Sequence, residues 1–128
     1  MKTVIISQAR MTSERLPGKV LKKVAGKSLL EHQIERLRRT RMSDEIVIAT
    51  TTNEADFPIV ELCEKLNVCY HRGSEENVLS RYYETAIKYK ADVIVRVTSD
   101  CPVIDPMVID SVINLFLEKY PDLDYLSN

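Results

Sequence analysis

Apolar residues follow two alternating rhythms along the chain. Short unbroken runs, Val4-Ile5-Ile6, Glu45 to Thr51, Val68-Cys69-Tyr70 and Asp92 to Thr98, are rich in β-branched side chains and have the length of buried strands. Between them apolar positions recur at helical spacing: Leu30, Ile34 and Leu37; Ile59, Leu62, Cys63 and Leu66; Val78, Leu79, Tyr82, Tyr83, Ala86 and Ile87; Ile109, Val112, Ile113, Phe116 and Leu117. The order is β-loop-α-β-α-β-α-β-α. Such alternation predicts a Rossmann-like α/β fold, a mostly parallel sheet with helices on both faces joined by right-handed crossovers. Ser28 with Glu31 forms a capping box, and Asp105-Pro106 sets a carboxylate at an N-cap with proline just inside. The last helix is expected to stop before Tyr120-Pro121, and residues 122–128 read as the entry to a fifth strand. No linker or repeat interrupts the pattern, so residues 1–128 form one domain, and the unfinished strand suggests a fragment of a longer protein.

Composition fits a globule: 45% of the 128 residues are apolar and 29% charged. No apolar run approaches the ~20 residues needed to cross a bilayer, and the N-terminus lacks a signal-peptide layout, so a cytoplasmic protein without membrane contact is expected. Cys63, Cys69 and Cys101 have no metal-ligand spacing and read as free thiols. The net charge of -1 conceals an asymmetry, because residues 1–41 carry a balance of +8 and residues 42–128 one of -9. A basic N-terminal region calls for an anionic partner. That region contains no aromatic residue to stack on bases, so a phosphate ligand fits better than nucleic acid.

The cations concentrate in Gln8 to Leu21, directly after the first strand-like run. In an open parallel sheet, ligands bind beyond the carboxyl ends of the strands, which is where this loop falls. It offers Arg10, Arg15 and Lys19 as cations, Thr12 and Ser13 as hydroxyl donors, and Gly18 where backbone approaches a ligand closely. Guanidinium groups grip phosphate oxygens in pairs, so the set suits a triphosphate. A solvated basic loop is the plainer reading of the charge alone. Gly26-Lys27-Ser28 imitates the end of a P-loop, but Leu21 stands where the leading glycine belongs and no strand feeds into it.

The stretch ARMTSERLPGKVL resembles the signature loop of the sugar cytidylyltransferases, most closely the branch of spore coat polysaccharide biosynthesis, related to the enzymes that activate 3-deoxy-manno-octulosonate and neuraminate. Later segments agree in order: IVIATTTNEAD at 46–56, RGSEENVLSRYYETA at 72–86 and RVTSDCPVIDP at 96–106. The resemblance implies a nucleotide-diphospho-sugar transferase type of fold, truncated here to the nucleotide-binding N-terminal half. It implies CTP and a sugar or sugar-phosphate acceptor as partners, Mg2+ as cofactor, and transfer of CMP with release of pyrophosphate. Arg10, Arg15 and Lys19 would stabilise the triphosphate, and Gln8, Ala9, Ser13, Gly18, Arg72 and Arg81 would complete the nucleotide site. Asp100 would be the metal carboxylate. Family members often read Ser-Gly-Thr-Asp-Arg where this chain has Asn77-Val78-Leu79-Ser80-Arg81, a departure that argues against 3-deoxy-manno-octulosonate itself as acceptor.

Alternatives stand beside several of these roles. Arg81 reads equally as a surface arginine paired with Glu84 or Glu76, and Thr51 and Thr52 as base contacts or as residues leaving a strand. His32 reads as solvated, and Arg36, Arg38, Arg39 and Arg41 as the cationic end of a helix. The Tyr82-Tyr83 pair reads as core and interface packing. At the level of function, the alternatives are a nucleotide-binding module without turnover and a basic surface that docks RNA; a homodimer is also compatible with an exposed sheet edge.

Overall fold

The computed structural model describes residues 1–12, 17–98 and 104–120. Four parallel strands form the main sheet: β1 (Thr3–Gln8), β4 (Glu45–Thr51), β5 (Cys69–Gly73) and β6 (Val93–Thr98), in the order β5-β4-β1-β6. The first strand of the chain is thus central, with Ile5 level with Ile46 on one side and Val95 on the other. A small antiparallel ribbon, β2 (Lys23–Val24) with β3 (Lys27–Ser28), interrupts the first crossover and was not expected from the apolar pattern. Its two-residue arms are too short to leave a periodicity.

Among the described residues three helices connect the strands, α1 (Leu29–Leu37), α2 (Phe57–Leu66) and α3 (Val78–Lys88), and α4 (Pro106–Lys119) follows β6. Strand residues alternate between faces, and the core divides accordingly. Ile48 packs with Leu30 and Ile34 of α1 and Ile59 and Cys63 of α2. On the same face Ile5 meets Leu37, Ile109 and Ile113, which brings α4 against the sheet. Val4, Ile6, Val47 and Ala49 point the other way and meet Tyr82 and Ala86 of α3. Helices therefore cover both faces, as the alternation predicts.

The caps follow the sequence. Ser28 Oγ accepts the Glu31 N–H at 3.1 Å, and Asp105 Oδ1 accepts the Met107 N–H at 2.9 Å with Pro106 opening α4. One expectation about faces needs correction. Leu79, Tyr83 and Ile87 share the helical spacing of α3, yet all three are exposed. The buried side of α3 is instead Tyr82 and Ala86 together with Arg81 and Thr85, because the helix lies over β1, β4 and β5. His32 is also not simply solvated, since its Nε2 lies 2.6 Å from the Val24 carbonyl oxygen of the ribbon.

Among the described residues, no helix is long and apolar enough to cross a membrane. Cys63 and Cys69 are free thiols, and burial pushes the Cys63 thiol up to about 12. Cys101 lies outside the described residues.

Candidate functional site

All four strands run the same way, so their carboxyl ends share one edge of the sheet. At that edge β1 releases the basic loop. Gln8 is the last strand residue, level with Ala49 and Thr98, and the buried Ala9 continues the ladder by donating its N–H to the Ala49 carbonyl at 2.9 Å. Arg10 follows, half-buried. The loop closes where the Gly18 N–H donates to the Met11 carbonyl at 2.8 Å. Gly18 has φ +75°, the left-handed region that side chains disfavour, so glycine is required there by conformation. Lys19 opens a short 3-10 turn over Lys19–Leu21, and buried Val20 pins that turn into the cluster with Leu30 and Ile34. Ser13 and Arg15, also expected at this site, lie outside the described residues.

Arg81 is the largest fully buried side chain in the molecule as described, which corrects the surface reading. Its Nη1 donates to the carbonyls of Ser74 (2.7 Å) and Glu75 (3.1 Å), while Nε and Nη2 are buried with no hydrogen-bond partner. Gly73 makes room for it: a Cβ at that position would lie 2.9 Å from Arg81 Cγ. Burial pulls the Arg81 guanidinium below its ordinary value, and the positive charge of Arg10 pulls it in the same direction. Arg10, in the loop after β1, and Arg81, near the start of α3, thus act on each other electrostatically. A buried guanidinium with two donors left over, and a second, half-buried arginine acting on it, suit a region that takes an anion.

The surrounding polar groups are engaged in holding this edge together. Arg72 donates from Nε to the Thr51 carbonyl (2.8 Å) and from Nη2 to the Asn53 carbonyl (2.9 Å), which commits much of its guanidinium to clamping β5 onto the end of β4. Glu75 Oε2 accepts from Asn53 Nδ2 at 2.8 Å and from Thr12 Oγ1 at 3.3 Å, linking the basic loop to the turn after β4. Asp56 accepts the Met11 N–H at 2.6 Å and the Thr51 hydroxyl. Gln33 of α1, fully buried, accepts from Ser7 Oγ (2.6 Å) and donates to the Thr98 carbonyl at the end of β6 (2.5 Å). Asp56, Glu75 and Gln33 had no assigned role in the sequence reading. A lone Asp, Glu or Gln carries no spacing signal, and the contacts span 45, 63 and 65 residues.

A metal site needs a separate test. Among the described residues no group of three or more His, Cys, Asp or Glu side chains gathers around a common point. Two of the described carboxylates at this edge, Asp56 and Glu75, accept hydrogen bonds from the protein. Asp100, the expected metal carboxylate, lies outside the described residues, two positions after the end of β6.

Comparison with known proteins places the chain in a family. The family model described as cytidylyltransferase matches residues 4–128. The spore coat polysaccharide biosynthesis protein SpsF of Bacillus subtilis is 37% identical over 129 residues, covering 98% of this chain and 54% of that protein. The 3-deoxy-manno-octulosonate cytidylyltransferase of Geobacter sulfurreducens is 33% identical over 113 residues, 88% of this chain and 44% of that enzyme. A solved cytidylyltransferase from Leptospira borgpetersenii superposes with a TM-score of 0.96 at 37% identity, covering all of this chain and 54% of that one. The chain spans about half the length of the curated relatives it matches. The sheet edge that carries Arg10 and Arg81 is therefore that of a nucleotidyltransferase fold, and the chain belongs to the cytidylyltransferase family.

Proposed function

We propose that residues 1–128 are the nucleotide-binding portion of an enzyme that transfers CMP from CTP to a sugar or sugar acid of a polysaccharide pathway. The observation that carries this reading is the basic loop that leaves β1 through Arg10 at the carboxyl edge of a parallel sheet, with the unpartnered Nε and Nη2 of buried Arg81 acting beside it, in a chain of this family. In the reaction an oxygen of the acceptor attacks the α-phosphorus of CTP. The new bond is O–P, the bridging bond between the α- and β-phosphates breaks, and pyrophosphate leaves with the electron pair. Such catalysis rests on positioning and electrostatics and needs no covalent residue.

In this reading Arg10, Arg15, Lys19 and Arg81 neutralise the triphosphate and the charge that grows on the leaving pyrophosphate. The backbone of Gln8 and Ala9, with Ser13 and Gly18, would line the nucleotide. Arg72 would act chiefly by holding the end of β4 against β5. Asp100 would hold Mg2+, which when bound neutralises phosphate oxygens.

Each role has a measurable consequence. Arg10→Ala is expected to weaken CTP binding at least about tenfold, the scale of a lost charge-assisted phosphate contact. Asp100→Asn should abolish the Mg2+-dependent part of binding. Unchanged affinity in either variant would contradict the site. Because the relatives extend over about twice this length, a module that holds CTP without turnover is the second reading. Release of pyrophosphate from CTP in the presence of sugar acids separates the two.

A further inference from the structure

Asp56 stands at the N-cap position of α2, where an aspartate ordinarily turns its carboxylate onto the free amides of its own helix. No such cap bond forms here. The fully buried carboxylate faces away from the helix instead, with Oδ1 accepting the Met11 N–H at 2.6 Å and Oδ2 accepting the Thr51 hydroxyl. Thr51 Oγ1 in turn accepts the Asn53 N–H at 3.1 Å, so the carboxylate is oriented by the turn it stands in. Burying a carboxylate is costly unless both oxygens are used. Here they are used to join the end of β4 to the residue that follows Arg10. The negative charge also favours the ionised form of Arg81, opposing the effect of Arg10. Asp56 thus touches the backbone behind one arginine and acts electrostatically on the other.

We propose that Asp56 is a positioning residue of the anion site, which fixes the direction in which Arg10 leaves β1 by holding the amide of Met11, so that Arg10 is presented to a phosphate group of the ligand. The proposal rests on the nucleotide-site reading above. Its logic is mechanical. Two guanidinium groups repel, and a loop free to relax would carry Arg10 outward to solvent. A hydrogen bond from the adjacent amide to a rigid, buried acceptor opposes that relaxation before any ligand arrives, which is preorganisation in the ordinary sense.

Two substitutions separate the acceptor from the charge. Asp56→Asn and Asp56→Ala both remove the negative charge, but only Asp56→Ala removes the acceptor that Met11 needs. The probes are CTP and inorganic tripolyphosphate, titrated calorimetrically, together with amide hydrogen exchange at Met11 and, as an internal control, at Ile5 in the sheet. Asp56→Asn is expected to bind both probes within about threefold of the wild type, and Asp56→Ala to lose at least about tenfold, the range of a hydrogen bond to a charged group. Met11 exchange should accelerate in Asp56→Ala while Ile5 stays protected. If both variants bind more tightly, the carboxylate acts only as a neighbouring charge and the proposal is overturned; equal losses in both overturn it too. Should Asp56→Ala fail to fold, Thr51→Val removes only the orienting hydroxyl and is expected to speed Met11 exchange and weaken tripolyphosphate binding about threefold, the low end of a single hydrogen bond. Unchanged values in that variant contradict the proposal. Wild-type protein that binds neither probe overturns the nucleotide reading itself, a result distinct from wild-type binding that the variants leave unaltered.

Discussion

Gly73 and Arg81 illustrate how one residue of the site depends on another. The Arg81 side chain lies across β5 where a Cβ on residue 73 would sit 2.9 Å from its Cγ and 3.5 Å from its Cα. Gly73→Ala should force Arg81 off its place, costing about 1–3 kcal/mol in urea denaturation and weakening CTP binding in parallel. Thr50 gives the opposite expectation. It is fully buried and its Oγ1 has no partner, so Thr50→Val should be neutral or stabilise by up to about 1 kcal/mol, read from the same denaturation curves. Glu45 accepts from Lys2 Nζ at 2.7 Å and from the Cys69 thiol at 3.1 Å, contacts that hold its carboxyl below the ordinary 4.5. A depressed folded value means the contribution is full above pH 4.5 and lost as pH falls through the lowered value. Lys2→Met should therefore lower stability at pH 7, by less than about 1 kcal/mol for a pair this exposed, and flatten the acid limb of the pH profile.

At the scale of elements, the apolar rhythm located all four main strands and all four helices, since each buries a continuous run or stripe. It failed where tertiary contacts decide which flank of a stripe is covered. Leu79, Tyr83 and Ile87 continue the apolar arc of α3, but the helix covers only part of the sheet and leaves them exposed. Tyr82→Ala should cost about 3 kcal/mol, as a buried aromatic truncated to alanine does, whereas Leu79→Ala should change stability by less than about 0.5 kcal/mol; comparable losses would mean that the buried face is misassigned. The basic loop was readable for the same reason that the strands were: Arg10, Gly18 and Lys19 sit in one short stretch of unusual composition. The partners that fix that loop were not. Asp56 and Glu75 reach it from other segments, and Gln33 ties α1 to the end of β6, through contacts that no local pattern encodes.

For the whole molecule, the basic residues of 1–41 divide between the two edges of the sheet. The loop after β1 lies at the carboxyl edge, whereas Arg38 and Arg41 at the end of α1 lie with Asp44, Glu45 and Asp92 toward the opposite edge, where the strands begin. The sheet as described has β5 and β6 as its outer strands, and relatives of about twice the length share this arrangement over their matching half. The measurement that bears most directly on the proposed nucleotide site is calorimetric titration of the chain with ATP, GTP, UTP and CTP, with and without Mg2+, repeated on Arg10→Ala and Asp100→Asn. The expected result is a Mg2+-dependent preference for CTP that both substitutions remove. Equal affinity for the four nucleotides, or CTP binding that survives both substitutions, would contradict a cytidine nucleotide site at this edge of the sheet.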